Sequence, residues 1–517
     1  MEFEREKLSK RKNNHGRRSD LMKRWVSGLL ILSFFSACAV GPNYKRPKVN
    51  LPETFRGQEK NAETSPAENS LANLPWWEVF QDETLQGLIR TALEQNKDLK
   101  IAAARIEEAR GLYRMKRGEQ YPEIGAVVSG SQTFTTQQNI GNEGNLGNIN
   151  RTYVAVGGTL SYEADLWGRY RRGSEAARAE LFAQEDFRRN VLITLISDVA
   201  RAYFELRELD EELGITKTTA GIRRKSLKLI RIRMQGGVVS LLDVRQSEAE
   251  LAIAARDIPE LERRIALKEN EINLLLGQNP GSITRGEILG RKTFPPKVPL
   301  DLPSNLLDRR PDIVGAEHQL VAANARIGEA KALFFPQINL GAIVGAAFIS
   351  GPIAGWTGVA ALGGNLFQSI FDAGKRKGNL QAAKARFEQA LQNYLKVIQQ
   401  SLREVSDSLT SIDKLKGVRK EMERLVAAAQ DGLRLANARY EGGVSSYLEV
   451  LEAERQSYNS QLTLTRTKKD QLIAIVQLYR ALGGGWKGTE KSPESQASKT
   501  QASIFVSHEK AVKDSPH

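Results

Sequence analysis

Gln337-Ile338-Asn339-Leu340-Gly341-Ala342-Ile343-Val344-Gly345-Ala346-Ala347-Phe348 sits inside forty residues, Ala332–Phe371, that carry no charged side chain. A pair of transmembrane helices is the first reading such a length allows. The internal pattern favours another. Ile338, Leu340, Ala342, Val344, Ala346 and Phe348 recur at every second position, with Asn339, Gly341 and Gly345 between them. Period two with one apolar side is the signal of a transmembrane strand, weak in one segment and stronger when repeated. Here it is repeated: Val154, Val156, Leu160 and Tyr162 alternate with Ala155, Gly157, Thr159 and Ser161. Just before them, Asn139–Asn150 is an Asn/Gly-rich loop that no membrane helix could hold. Each segment reads as one β-hairpin, giving four membrane strands.

The hairpins belong to a chain that is written twice. Asp98–Pro122 aligns with Asp312–Pro336 at an offset of 214, placing Ala102 on Ala316, Ala109 on Ala323 and Ile124 on Ile338. Further on the offset is 206. It pairs Leu160 with Leu366, Gly168 with Gly374, Val244 with Val450, Glu248 with Glu454, and Leu276-Gly277 with Leu482-Gly483. One slip of eight residues, between Pro122 and Leu160, is the only indel needed. A unit above 200 residues is too long for a solenoid repeat and reads as duplication of a large architectural half.

Between the hairpins run long helical stretches. Arg169–Gln235 holds 67 residues without proline, about 100 Å as one α-helix. Lys375–Glu441 is its proline-free counterpart. Uncapped patterns of that length mean coiled coil or extended bundle. Both stop at a tight turn, Gln235-Gly236-Gly237-Val238-Val239-Ser240 and Glu441-Gly442-Gly443-Val444-Ser445-Ser446. A glycine supplies the left-handed stop, and Ser240 or Ser446 caps the helix that returns. Ser240 to Asp243 and Ser446 to Glu449 both have capping-box spacing. Pro259 is expected to kink the first return.

Four strands cannot close a barrel, and in lipid an open sheet edge leaves backbone groups unsatisfied at several kcal/mol each. Strands must come from other copies. Three copies supply twelve, and the internal repeat makes the ring nearly six-fold. The expected fold is mainly α with membrane β, the helices forming an α-barrel below a twelve-stranded β-barrel.

The N-terminus and the composition narrow the function. Met22-Lys23-Arg24 opens a basic region, Trp25–Ala37 is uncharged, and Phe35-Ser36-Ala37 leads to Cys38, the only cysteine. This is a secretory signal, too short for a span. Residues 1–21 precede a second candidate start at Met22. Net charge is +14, but residues 1–37 hold nine Lys/Arg and four Asp/Glu, so the remainder is too diffusely basic for a nucleic-acid footprint. The four histidines are His15, His318, His508 and His517, three of them near the termini. No phosphate loop, zincin helix or nucleophile elbow is present. Neither an enzyme nor a cofactor is expected.

Several segments resemble a known family. Cys38-Ala39-Val40-Gly41-Pro42-Asn43-Tyr44-Lys45-Arg46-Pro47 is similar to the N-terminal signature of the lipid-anchored NodT/OprM branch of TolC-type outer-membrane efflux proteins. Trp76-Trp77 with Phe80, Asp82, Leu85, Leu88 and Ile89 resembles the segment that follows. Arg309-Arg310-Pro311-Asp312-Ile313, continuing to Ile327-Gly328 and Phe335-Pro336, is the strongest match. The resemblance implies a passive exit duct for small molecules such as drugs. It also implies a homotrimer in outer-membrane lipid that docks a periplasmic adaptor (membrane fusion) protein and an inner-membrane RND pump. Cys38 would carry the lipid, and Ala39 after it favours the outer membrane. Gly236, Gly237, Ser240, Gly442, Gly443 and Ser446 match the adaptor-docking tips. Asp243, Tyr440, Glu449 and Glu452 match the periplasmic aperture, where Asp243 and Glu449 either ring the lumen with charge or only cap helices. Ser445 stands where the family pattern carries arginine.

The organisation expected is a signal peptide at 1–37, a lipid-anchored segment at 38–75, and a first repeat at 76–290. An inter-repeat linker at 291–310, a second repeat at 311–485 and a disordered tail at 486–517 complete it. Arg223, Arg224, Lys225, Lys228, Arg231 and Arg233 read as a solvated helix face. The competing reading is a periplasmic coiled-coil scaffold lipoprotein without a pore. It has no use for a charge-free segment of forty residues.

Overall fold

The computed structural model describes residues 39–56, 82–135, 149–286, 303–350 and 354–484. The signal segment, Cys38, Trp76-Trp77, most of the Asn/Gly-rich loop and the 486–517 tail lie outside them. In chain order the elements are α1 (Glu83–Gln95), α2 (Lys97–Gly118), β1 (Glu123–Thr135), β2 (Ile149–Glu163), α3 (Arg169–Gln235) and α4 (Leu241–Leu276). The second series is α5 (Leu306–Arg309), α6 (Pro311–Ala332), β3 (Gln337–Ile349), β4 (Gly355–Phe367), α7 (Lys375–Glu441) and α8 (Tyr447–Ala481).

The duplication reappears element by element. α2 and α6 have 22 residues each, β1 and β3 have 13, and α3 and α7 have 67. The eight-residue slip falls between the strands of the hairpins: 136–148 joins β1 to β2, whereas 350–354 joins β3 to β4. Gly168 and Gly374, matched by the repeat, both take a left-handed conformation ahead of a long helix, with φ of 78° and 85°. Pro311 opens α6, where its missing N–H costs nothing. α4 continues through Pro259 as one helix, so the proline does not end it.

The chain folds as two compact units. The first contains Arg105–Gln184, Gly315–Tyr394 and the N-terminal residues through Lys48. Its centre is a four-stranded antiparallel sheet in the order β1-β2-β3-β4. Glu123 pairs with Ser161, Tyr153 with Ile349, and Gln337 with Phe367, so even-numbered residues share one face throughout. That face carries Ile124, Val128, Val154, Val156, Leu160, Ile338, Leu340, Val344, Trp356, Leu362 and Leu366; Ser129, Ser131, Thr159, Ser161, Asn339 and Asn365 lie on the other. The sheet therefore has one lipid-like side. β1 and β4 are edge strands.

A strap, residues 39–48, is fastened within this unit. Val40 N–H donates to Trp167 O at 3.0 Å, Arg172 to Asn43 Oδ1 at 2.7 Å, and Asn324 Nδ2 to Pro42 O at 2.9 Å. Tyr44 Oη donates to Glu317 Oε1 at 3.0 Å, and Arg46 pairs with the other oxygen at 2.6 Å. Gly41, at φ 118°, lies so close to Gly328 that a Cβ there would stand 2.5 Å from its Cα.

The second unit contains Val49–Ala104, Glu185–Val314 and the chain from Leu395 onward. Its core joins Leu85, Ile89, Ile196, Val199, Tyr203 and Leu206 to Ile272, Leu276 and Tyr479. Asp82 caps α1 through Thr84 and Leu85 N–H. Arg310 explains the Arg-Pro-Asp motif. Its buried guanidinium donates to both Asp312 oxygens (3.0 and 2.6 Å), to Glu404 (2.8 Å) and to Ala481 O (2.9 Å), tying α6, α7 and α8 together. Among the described residues no helix is long and apolar enough to cross a membrane.

Candidate functional site

The two turns that the sequence singles out lie side by side in the second unit. Met234, Val239, Leu433 and Tyr440 pack on a shared apolar cluster of Leu227, Ile230, Val244, Ala436, Tyr447, Val450 and Leu451. Both turns are built alike. Val238 N–H donates to Arg233 O and Val444 N–H to Arg439 O, each at 2.9 Å, across a left-handed glycine, Gly237 (φ 74°) or Gly443 (φ 75°). This six-to-one closure satisfies the last helical carbonyls. Gly236 and Gly442 precede these left-handed residues. Val238 and Val444 project outward, each 72 % exposed, beside exposed Leu241, Leu242 and Leu448.

Capping separates the turns. Ser240 accepts from Asp243 N–H at 3.3 Å, and Asp243 Oδ2 accepts from Ser240 N–H at 2.9 Å and from its hydroxyl at 2.8 Å. The box expected at Ser240 is therefore complete. The one expected at Ser446 is not formed: its side chain makes no capping bond. Glu449 turns instead to Arg439, 3.5 Å away, because an arginine across the hairpin competes for the carboxylate. Glu452 pairs with Arg455 at 3.1 Å. Tyr440 packs its ring 5.2 Å from that of Tyr447 and beneath the Arg233 guanidinium at 4.8 Å. Its buried hydroxyl makes no hydrogen bond, and neither does the Ser445 hydroxyl.

The basic stretch is only partly the solvated face expected. Arg224, Lys225, Lys228 and Arg231 are exposed, but Arg223 is buried. It donates to Glu250 O at 2.7 Å, pairs with the Glu250 carboxylate at 2.9 Å and faces Glu454 at 3.9 Å. Arg455 reaches the same Glu250 at 2.8 Å. Thus α3, α4 and α8 meet at a buried charge cluster that composition alone hid. Its signal was spacing: Arg223 stands in the stripe of Ala220, Leu227 and Ile230, all buried. Burial pushes the Glu454 carboxyl above the usual range and Glu250 adds to the push, while Arg223 opposes it. Above it, Thr216 and Tyr458 hydroxyls lie 3.0 Å apart, and Arg466 donates to buried Glu212 at 2.7 Å. Above the apolar cluster of the tips, the seam between α3 and α8 is therefore polar. No acidic, histidine or cysteine cluster suited to a metal occurs among the described residues.

Residues 88–278 and 302–484, one span per repeat, match the family described as outer membrane efflux protein. The chain belongs to the outer membrane efflux protein family. The solvent efflux pump outer membrane protein SrpC of Pseudomonas putida is 36 % identical over 462 residues, covering 89 % of this chain and 97 % of SrpC. The probable outer membrane lipoprotein SilC of Salmonella typhimurium is 33 % identical over 471 residues, 89 % of this chain and 98 % of SilC. Among solved structures, the open state of the Neisseria gonorrhoeae MtrE outer membrane channel superposes with a TM-score of 0.75 at 32 % identity. It covers 87 % of this chain and 98 % of MtrE. This efflux protein is an outer-membrane channel whose four strands and long paired helices supply one share of a duct. Its family serves transport.

Proposed function

We propose that three copies of this efflux protein form the outer-membrane exit duct of an RND-type tripartite system, lipid-anchored through Cys38. The observation that carries the trimer is the sheet. Four strands with one apolar face and two free edges cannot stay open in lipid, and three copies bring twelve strands, enough for a closed barrel. The tips take the periplasmic end. Val238, Leu241, Leu242, Val444 and Leu448 offer apolar contacts to the hairpin of an adaptor protein, an inner-membrane pump supplying the energy. Glu449 and Glu452, both exposed, contribute negative charge to the aperture; Asp243 serves first as a helix cap. Small organic solutes are the cargo class that SrpC's name suggests.

The test is the detergent-corrected mass of protein extracted from outer membranes, measured by light scattering. A trimer is expected. A stable monomer would leave the two sheet edges unexplained and overturn the reading.

A further inference from the structure

One side of α6 is held by the strap and the other is open. Glu317, Asn324 and Gly328 meet strap residues 41–46. Arg326, Glu329 and Ala330 lie roughly half a turn round the helix, at about 100° per residue. They border a cavity of about 370 Å³ within the first unit. Lys116 of α2, Glu119 just beyond its end, Arg169 of α3 and Arg386 of α7 complete the charged part of its wall. Arg169 also tells which way the cavity faces. It pairs at 2.6 Å with Glu163, an odd-numbered residue of β2, so the cavity lies on the side of the polar sheet face. In a ring closed with its apolar face to lipid, that side is the lumen.

Charge pairing around the cavity is incomplete. Lys116 pairs with Glu119 at 2.9 Å, Arg169 with Glu163, and Arg326 with Glu180. Glu329 and Arg386 are left over: among the described residues neither has a hydrogen-bond or ion-pair partner, and they do not pair with each other. Between them α6 and α7 meet through Ala330 and Ala383, both buried, and Leu333 adds an apolar wall. Burial pushes the Glu329 carboxyl above the usual range and Glu119 adds to the push, while Lys116, Arg326 and Arg169 oppose it. A carboxylate partly stripped of water and lacking a hydrogen bond has much to gain from a cationic donor.

We propose that this cavity binds small organic zwitterions, molecules with an apolar body between a carboxylate and an ammonium group. Arg386 takes the carboxylate, Glu329 takes the ammonium, and the body lies against Ala330, Ala383 and Leu333. The volume falls within the range of small-molecule pockets. A simple anion would bring no cation to Glu329, and a simple cation would leave Arg386 unanswered. A zwitterion answers both. The inference goes beyond the exit-duct reading by naming a solute class, and it rests on that reading for the placement in a lumen. Three copies would set three such cavities where the helices give way to strands, each a brief stop on the way out.

The experiment is titration calorimetry on the detergent-solubilised full chain at low salt, where these contacts are least screened. Three probes share one aromatic body: para-aminomethylbenzoic acid, a zwitterion at neutral pH, and the single ions benzoate and benzylamine. The zwitterion is expected to bind about ten-fold more tightly than either single ion, the gain of one further charge-assisted contact. Glu329→Gln and Arg386→Gln should each bring its affinity down to the single-ion level. Lys384→Gln, at an exposed lysine of α7 that does not line the cavity, should leave it unchanged. Wild-type melting temperature and mass identify variants that have folded. Equal binding of the three probes would overturn the proposal, as would wild-type affinity in folded Glu329→Gln and Arg386→Gln. Tighter binding of benzoate than of the zwitterion would overturn it in favour of an anion site. A trimer that binds no probe overturns the cavity alone. A monomer that binds the zwitterion with the expected variant pattern upholds the cavity and overturns its place in a lumen.

Discussion

Arg223 and Glu454 face each other at 3.9 Å from separate helical hairpins, with side chains only 3 % and 7 % exposed. Neither the Arg223 Nε nor the Glu454 Oε2 makes a hydrogen bond. The attraction is thus present while the geometry that would repay desolvation is incomplete. A contact of that kind holds two hairpins together and lets them part.

Removing the cation exposes the imbalance. Arg223→Ala leaves Glu250 and Glu454 buried without their shared partner, a loss of about 3–5 kcal/mol. Amide exchange around Leu227, Ile230 and Val450 is expected to accelerate, and single-channel conductance to rise. Arg223→Ala with wild-type exchange and conductance would mean that the apolar cluster alone holds the tips.

Acidity acts on the same cluster. Burial raises the folded-state pKa of Glu454 above the unfolded value, so the carboxyl binds its proton more tightly when packed. Its contribution to stability is fully present below the ordinary carboxylate range and is lost as pH rises through the raised value. Glu208 is shifted in the same direction by its own burial. The wild-type tip should therefore loosen with increasing pH, as read by exchange at Val450 and Leu451. Glu454→Gln removes this site's share of the dependence and leaves that of Glu208. A variant with the wild-type pH profile would assign the effect elsewhere.

The two caps should answer differently to one substitution. Ser240→Ala loses a formed capping box and is expected to cost about 0.5–2 kcal/mol at the start of α4. Ser446→Ala removes no capping bond and should be close to neutral. Thermal melts of the two variants, alongside limited proteolysis at each turn, would reveal equal losses if both serines cap.

Close backbone approach gives the sharpest steric test. Gly41→Ala places a methyl 2.5 Å from the Gly328 Cα and requires φ of 118°, which L side chains rarely adopt. The strap should detach, weakening the Tyr44–Glu317 contact and making residues 39–48 protease-sensitive. Gly87→Ala, with nothing within 4 Å, is the matched control.

Much of this architecture could be read from residue spacing. Period-two alternation identified Ile338–Phe348 as a strand, and the lack of proline marked α3 and α7 as unbroken. Gly237 and Gly443 announced left-handed stops. The missed features depended on three-dimensional partners. The spacing from Ser446 to Glu449, Ser446-Tyr447-Leu448-Glu449, permits a capping box without requiring one, and it could not show that Arg439 across the turn takes the carboxylate. Arg223 counted as one charge in a basic run, though its helical phase matched buried Ala220 and Leu227. Glu248 and Glu454 align in the repeat, yet Glu248 meets Arg231 and Arg245 near the surface while Glu454 is buried. A duplicated position does not keep a duplicated environment.

The equal length of α3 and α7 limits how this chain can evolve. Deleting one residue from either helix would shorten it by about 1.5 Å and turn everything beyond by about 100°. Leu227 and Ile230 would leave the cluster they share with Tyr447 and Val450, and the two turns would no longer meet at one level. Descendants with longer or shorter ducts must therefore gain or lose whole helical periods in both copies at once. Matched heptads would be the mark of such a history, and a lone insertion the mark of a broken channel.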